Sequence, residues 1–162
     1  MCFSLILVEM TLDTVDQTIL EILQLDGRIS NNELADRVGL SPSACLRRVR
    51  RLESDGVIDH YAALVDPATL SRGTTAFVEI SLVSQEESQL DAFEAAVVGS
   101  PNVMACHLMA GDADYIVQVA CADVADYERI HRTHLALLPG VARIRSSFSL
   151  RTVCNRTAYE VR

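Results

Sequence analysis

The 162-residue chain has no lysine and no tryptophan, and only four prolines, four phenylalanines and four tyrosines. Without lysine, every permanent side-chain cation is an arginine, whose planar fork suits bidentate pairing with phosphate oxygens or guanine edges. Long apolar runs are missing too. The opening MCFSLILVEM is too short to span a bilayer and lacks the basic flank and small-residue cleavage site of a secretion signal, so no membrane association is expected. The five cysteines, Cys2, Cys45, Cys106, Cys121 and Cys154, are odd in number and form no C-x-x-C pair. That pattern argues against a disulfide framework and a cysteine zinc site, and for a reducing, cytoplasmic setting. There is no G-x-S-x-G elbow and no phosphate-cradling glycine loop, so no catalytic constellation, metal or cofactor is expected.

What is present is a core. At 49% hydrophobic the chain can bury one average domain or two small ones. Its net charge of -8 repels nucleic acid and anionic lipid at long range, so any contact with a polyanion has to be local. Met10 opens a plausible second start, and residues 1–10 are read as a disordered extension.

From Thr14 the apolar positions Val15, Ile19, Ile22 and Leu23 recur at helical spacing, with Asp13 or Thr14 as cap and Asp26-Gly27-Arg28 as stop, which predicts a helix over 14–25. Ser30-Asn31-Asn32-Glu33 is a capping box opening a second helix over 31–38, and Gly39 supplies the left-handed residue that ends it. Ser41-Pro42 starts a third helix, which runs to Asp55-Gly56. Three short helices, the last two separated by Gly-Leu-Ser, make a helix-turn-helix signature over 11–61. The stretch 57–66, VIDHYAALVD, has strand character and reads as a short wing or connecting strand, and 66–73, DPATLSRG, is a linker rich in turn formers, so 62–73 connects the two domains.

A second pattern occupies 74–162: strand 74–83, helix 88–98, strand 102–110, a Gly-Asp-Ala-Asp turn at 111–114, strand 115–121, helix 124–138 and strand 141–153. The order βαββαβ is that of a ferredoxin-like (ACT-like) sandwich, four antiparallel strands with both helices on one face. The whole chain is therefore of α+β class. A sheet covered on one side only and this apolar needs a partner, so a dimer or larger assembly is expected.

Arg47, Arg48, Arg50 and Arg51 concentrate charge on the third helix. On a helical wheel Val49 and Leu52 fall within about 40° of Cys45 and face the core. Arg47, Arg50 and Arg51 fall opposite them with Ser43, and Arg48 lies on the flank. The helix opens with Ser41, Pro42, Ser43 and Ala44, small enough to let its N-terminal end approach a phosphate or a groove floor. The alternative is a solvated face with Arg50 or Arg51 paired to Glu53, Asp55 or Glu33. The stripe lies on the second helix of a helix-turn-helix, the one that enters the major groove, and this favours contact with double-stranded DNA.

Leu12 to Pro67 resembles the N-terminal half of the Lrp/AsnC family of transcriptional regulators. Met109 to Val119, MAGDADYIVQV, resembles that family's G-x-x-D-Y/F turn, and Leu138 to Leu150 resembles its last strand. The resemblance implies a winged helix-turn-helix domain that binds semi-palindromic DNA and an effector domain that forms homodimers, often four dimers in an octameric ring. It also implies a small-molecule effector, usually an amino acid, held between dimers beside the turn joining the second and third strands. Carried onto this sequence, that site comprises Met109, Ala110, Gly111, Asp112, Asp114 and Tyr115, with Leu138, Ile144 and Ser146 as the opposing wall; Ser146 stands where many members have threonine. Chemically, Asp112 or Asp114 could pair with an ammonium group while backbone N–H groups around Gly111 hold a carboxylate. The competing reading is a plain turn, with Gly111 for positive φ and aspartate for local capping.

Three other readings compete. Cys106, His107, His131 and His134 could supply metal donors, but neighbouring strand residues point to opposite faces and His134 falls on an apolar stripe. Siroheme decarboxylases look like this family in both halves and would use His107, His131 and His134; the arginine stripe, which such an enzyme does not need, favours the regulator. An amino-acid-binding module without DNA binding would leave Ser43, Arg47 and Arg51 dispensable.

Overall fold

The computed structural model describes residues 12–161, so the expected extension over 1–10 lies outside the described residues. These residues divide into two compact units, one reaching Ala63 and including the chain from Cys154 onward, the other Leu64–Val153.

The first unit holds three helices: α1 Thr14–Leu25, α2 Asn31–Arg37 and α3 Pro42–Ser54. Each starts where a short polar side chain takes up a free backbone donor. Asp13 accepts from the Asp16 N–H at 2.8 Å, Ser30 from Glu33 at 3.2 Å and Ser41 from Ala44 at 3.3 Å. The Glu33 carboxylate pairs with Arg37 at 2.6 Å, one turn further along α2. Gly39 takes φ +68°, a left-handed backbone that turns the chain from α2 into α3. The turn is closed by Leu40 N–H to Ala35 O at 2.9 Å and by the Asn31 side-chain amide to Pro42 O at 2.9 Å. Ile19, Leu20, Leu34, Ala35, Cys45 and Leu52 form the core between the helices.

The segment 57–66 carries no strand. Its first residues instead finish α3, with the Val57 and Ile58 N–H groups both donating to Leu52 O at 2.9 and 3.0 Å. Donors spent on a helix end are not available for a ladder. Residues 154–161, which the sequence reading placed in the second domain, lie with this first unit. The Gln24 side chain accepts from Tyr159 N–H at 2.7 Å and donates to Tyr159 O at 3.0 Å, while Val161 packs against the helical core.

The second unit comprises β1 Thr74–Leu82, α4 Glu87–Val98, β2 Val103–Leu108, β3 Tyr115–Cys121, α5 Val124–Thr133 and β4 Val141–Phe148. The sheet order is β2-β3-β1-β4, all antiparallel, as a ferredoxin-like sandwich requires. Ala76, Val78, Ile80 and Leu82 on β1 and Tyr115, Val117, Val119 and Cys121 on β3 are buried with Phe93 and Val97 of α4 and Tyr127 and Ile130 of α5. The alternate residues form the outer face, where Phe77 is 42% exposed and Glu79 lies opposite Arg145 at 3.4 Å.

The β2 strand ends at Leu108, two residues short of the expected 110, and two further elements stop well before their sequence patterns suggest. The α5 helix stops at Thr133, and a short 3-10 turn, Leu135–Leu137, follows. Pro139 disfavours helical geometry at the residue before it, and the break at His134 puts Leu135 rather than His134 fully into the core. The β4 strand stops at Phe148 because its partner β1 begins at Thr74, and beyond the Ser149 N–H to Thr75 O bond at 2.9 Å there is no neighbour to pair with.

Candidate functional site

On α3 the wheel is obeyed at the core: Cys45 and Leu52 are fully buried and Val49 packs beside them. Ser41, Pro42 and Ser43 are exposed at the N-terminal end and Ala44 is partly exposed. The Ser41 and Ser43 hydroxyls stand 3.3 Å apart.

The four arginines separate into two pairs. Arg47 and Arg50 are exposed and, among the described residues, make no ion pair. Arg48 and Arg51 turn to α1. Arg48 binds Asp13 Oδ2 at 2.7 Å and Asp16 Oδ1 at 2.8 Å, and Arg51 binds Asp16 Oδ2. The Asp16 side chain is 1% exposed. The partners expected for Arg51 were Glu53, Asp55 or Glu33, and the structure supplies Asp16 instead. Glu53 accepts from the Tyr61 hydroxyl at 3.1 Å, and Glu33 is held by Arg37. Electrostatics follow from the geometry. The Asp13 carboxyl is held below its usual range by the Asp16 N–H it caps and by Arg48, and the Arg48 guanidinium is held above its ordinary value by Asp13 and Asp16. Neither acid belonged to the expected site. The signal was the spacing: acids at 13 and 16 and arginines at 48 and 51 each recur at i, i+3, one helical face apiece.

The candidate ligand turn joins β2 to β3. Met109, Ala110, Gly111 and Asp112 are exposed. Asp114 and Tyr115 are not: they are 9% and 1% exposed, and their polar atoms are already satisfied. Asp114 accepts from Leu82 N–H at 2.7 Å and from the Gln85 side-chain amide at 2.5 Å, and the Tyr115 hydroxyl donates to Glu94 at 2.8 Å. Burial and that carboxylate push the Tyr115 phenol well above its usual value. These two residues build the turn from within, and a ligand ammonium would have to displace existing donors to reach Asp114. Gly111 is not at positive φ, and a methyl group added there would meet open space, so the plain-turn explanation of that glycine fails as well.

Of the opposing wall, Ile144 stands across from Ile80, whose carbonyl accepts the Asp114 N–H at 3.0 Å, so the start of β4 and the turn share one end of the sheet. Leu138 is buried in the same core. Ser146 lies further along β4 with its hydroxyl bonded to that of Tyr127, whose ring meets Phe148 edge-on with centroids 5.1 Å apart. Ser146 is thus engaged inside the sandwich.

The histidines do not converge. In β2 His107 faces outward opposite Ile116, whereas His131 and His134 belong to the helix layer on the other side of the sheet. Among the described residues no group of three or more His, Cys, Asp or Glu side chains is placed to hold a metal ion.

A helix-turn-helix whose third helix is basic and open, in one chain with an α+β sandwich carrying an open sheet face and an exposed turn, defines a transcriptional regulator with its own sensing domain. Comparison with known proteins makes the class specific. Residues 75–159 match the Lrp/AsnC ligand binding domain and residues 12–59 a winged helix-turn-helix DNA-binding domain. The chain is 44% identical to the Bkd operon transcriptional regulator of Pseudomonas aeruginosa, over 91% of this chain and 96% of that one. It is 45% identical to the leucine-responsive regulatory protein of Escherichia coli, over 80% of this chain and 79% of that one. Among solved structures, a transcriptional regulator of Neisseria meningitidis in complex with L-Met superposes with TM-score 0.87 at 36% identity, covering 92% of this chain and 96% of that one. The chain belongs to the Lrp/AsnC family.

Proposed function

We propose that this regulator docks α3 in the major groove of duplex DNA, with Ser41, Pro42, Ser43 and Ala44 approaching the groove or backbone and Arg47 and Arg50 directed at phosphates or base edges. The observation that carries this reading is the exposure of Arg47 and Arg50 on the open side of the helix-turn-helix's third helix, where among the described residues neither makes an ion pair, in a molecule of net charge -8. A homodimer formed through the outer sheet face presents two such helices to a two-fold site, and higher assembly of dimers is part of the same proposal.

The effector is an amino acid at the turn 109–115. Its support is the ligand-binding domain match, the L-Met complex of the Neisseria relative and the exposed Asp112 carboxylate beside the open backbone at Gly111. In this reading Asp112 meets the ammonium, and Asp114 and Tyr115 hold the turn in shape. No catalytic role is assigned: the relatives are named as regulators, and His107 is separated from His131 and His134 by the sheet.

Fluorescence anisotropy with the chain's own upstream DNA and a random duplex, repeated with each of the twenty amino acids, tests both parts. Tighter, salt-dependent binding to the upstream DNA is expected, with at least one amino acid changing it. Failure to bind either duplex at micromolar protein in low salt would defeat the DNA reading, and indifference to all twenty would defeat the effector reading alone.

A further inference from the structure

A buried carboxylate gripped by two arginines is a costly arrangement. Ion pairs taken out of water repay little net stability, whereas removing one partner leaves a charge stranded. Asp16 is such a group. It sits in the first turn of α1 with its side chain 1% exposed, and each oxygen is committed to a different arginine of α3, Oδ1 to Arg48 at 2.8 Å and Oδ2 to Arg51. Asp13 adds a second acid against Arg48 at 2.7 Å. Two guanidinium groups thus face two carboxylates, and the cluster is neutral.

What the arrangement accomplishes is visible on α3. Arg48 and Arg51 lie three residues apart on the flank facing α1, while Arg47 and Arg50 lie three apart on the outward side. All four carry the same charge and the same reach. Their difference is imposed from α1. Arg51 remains 49% exposed at its side chain, so nothing but the ion pair prevents it from extending into solvent.

We propose that Asp16 is the positioning residue of the reading helix: it withdraws Arg48 and Arg51 from DNA, leaving Arg47 and Arg50 as the two cations of that helix that meet the duplex. This rests on the DNA-binding reading above and deepens it. Holding two of four arginines back limits the sequence-independent attraction to phosphate, which scales with the number of phosphates neutralised, and leaves target discrimination to groups with fixed geometry.

The experiment is the salt dependence of DNA binding by the full chain, plotted as log affinity against log salt, for target and random duplexes. Each phosphate contact contributes a slope of about -0.9. Arg47→Gln is expected to make the slope shallower by about one, and Arg51→Gln to leave it unchanged. Asp16→Asn, which keeps the shape and removes the charge, is expected to steepen the slope by about one to two, because the released arginines reach phosphate. Binding to random duplex then tightens relative to the target. A merely structural Asp16 would weaken both duplexes with no change in slope. If Asp16→Asn fails to fold, the comparison of Arg47→Gln with Arg51→Gln decides alone. Equal loss of slope in those two variants overturns the assignment while the DNA-binding reading stands. A wild-type chain that binds no duplex overturns that reading, and the assignment with it.

Discussion

Asp13 shows how one side chain can hold two posts. Its carboxylate caps α1 and also receives Arg48, and both interactions favour the charged form, so its acidity is greater in the folded than in the unfolded chain. A depressed carboxylate stabilises the fold at pH above its unfolded value, about 3.9, and that contribution is lost as the pH falls through the folded value. Asparagine caps a helix as well as aspartate does, so Asp13→Asn isolates the charge. Urea unfolding across pH 2.5–7, a range chosen to bracket about 3.9, is expected to show the variant less stable than wild type at neutral pH and equal to it at the acid end. A gap that persists undiminished at the acid end would assign the effect to shape and not to charge. At this scale the sequence displays each acid and each arginine. It does not display that Asp16 is buried between two of them, because that depends on how α1 packs beside α3.

Among the elements, boundaries set by local chemistry were the most legible. The three caps, the start of α3 at Pro42 and the full length of β3 follow from side chains within a few residues of each end. Gly39 is the sharpest case, since α2 can hand over to α3 only through a left-handed residue. Gly39→Ala meets no neighbouring atom within 4 Å, so its effect is purely one of backbone conformation, a loss of about 1–2 kcal/mol in folding stability. Gly111→Ala, also in open space but outside the left-handed region, is the control and is expected to unfold like wild type. Thermal unfolding of the two variants side by side measures this, and equal midpoints would contradict the backbone explanation. Boundaries that depend on a neighbour were less legible: β4 ends where β1 has no more to offer, and 57–66 looks like a strand by residue type yet its first donors belong to α3.

On the scale of the whole molecule, the outer sheet face of the second unit is left uncovered by the single chain. Phe77 stands on the central strand β1 between Gln118 and Ser147, with Glu79 and Arg145 two positions along. An aromatic side chain 42% exposed at the middle of an uncovered sheet, with polar residues around it, matches the apolar centre and polar rim of an interface. Phe77→Asp is therefore expected to shift the protein to monomers in light scattering coupled to size exclusion, while circular dichroism stays unchanged because the residue does not enter the core. Dimers of undiminished stability in that variant would place the interface elsewhere. DNA affinity should fall with assembly, since two reading helices bound together gain what either alone lacks. The C-terminal tail belongs to this scale too. Tyr159 is 135 positions from Gln24, and no local pattern foretells that the two-way amide contact joins them.

The order and type of almost every element, the basic third helix and the family resemblance were determined by the sequence alone, because periodicity, capping and turn chemistry act over short stretches of chain. Tertiary structure decided which arginines are held and which are offered, why Asp114 and Tyr115 shape the turn from inside while Asp112 stays open, and where the tail lies. Those outcomes depend on which side chains long-range packing buries together. A buried carboxylate or phenol must take whatever partner the fold brings within reach, however distant in the chain.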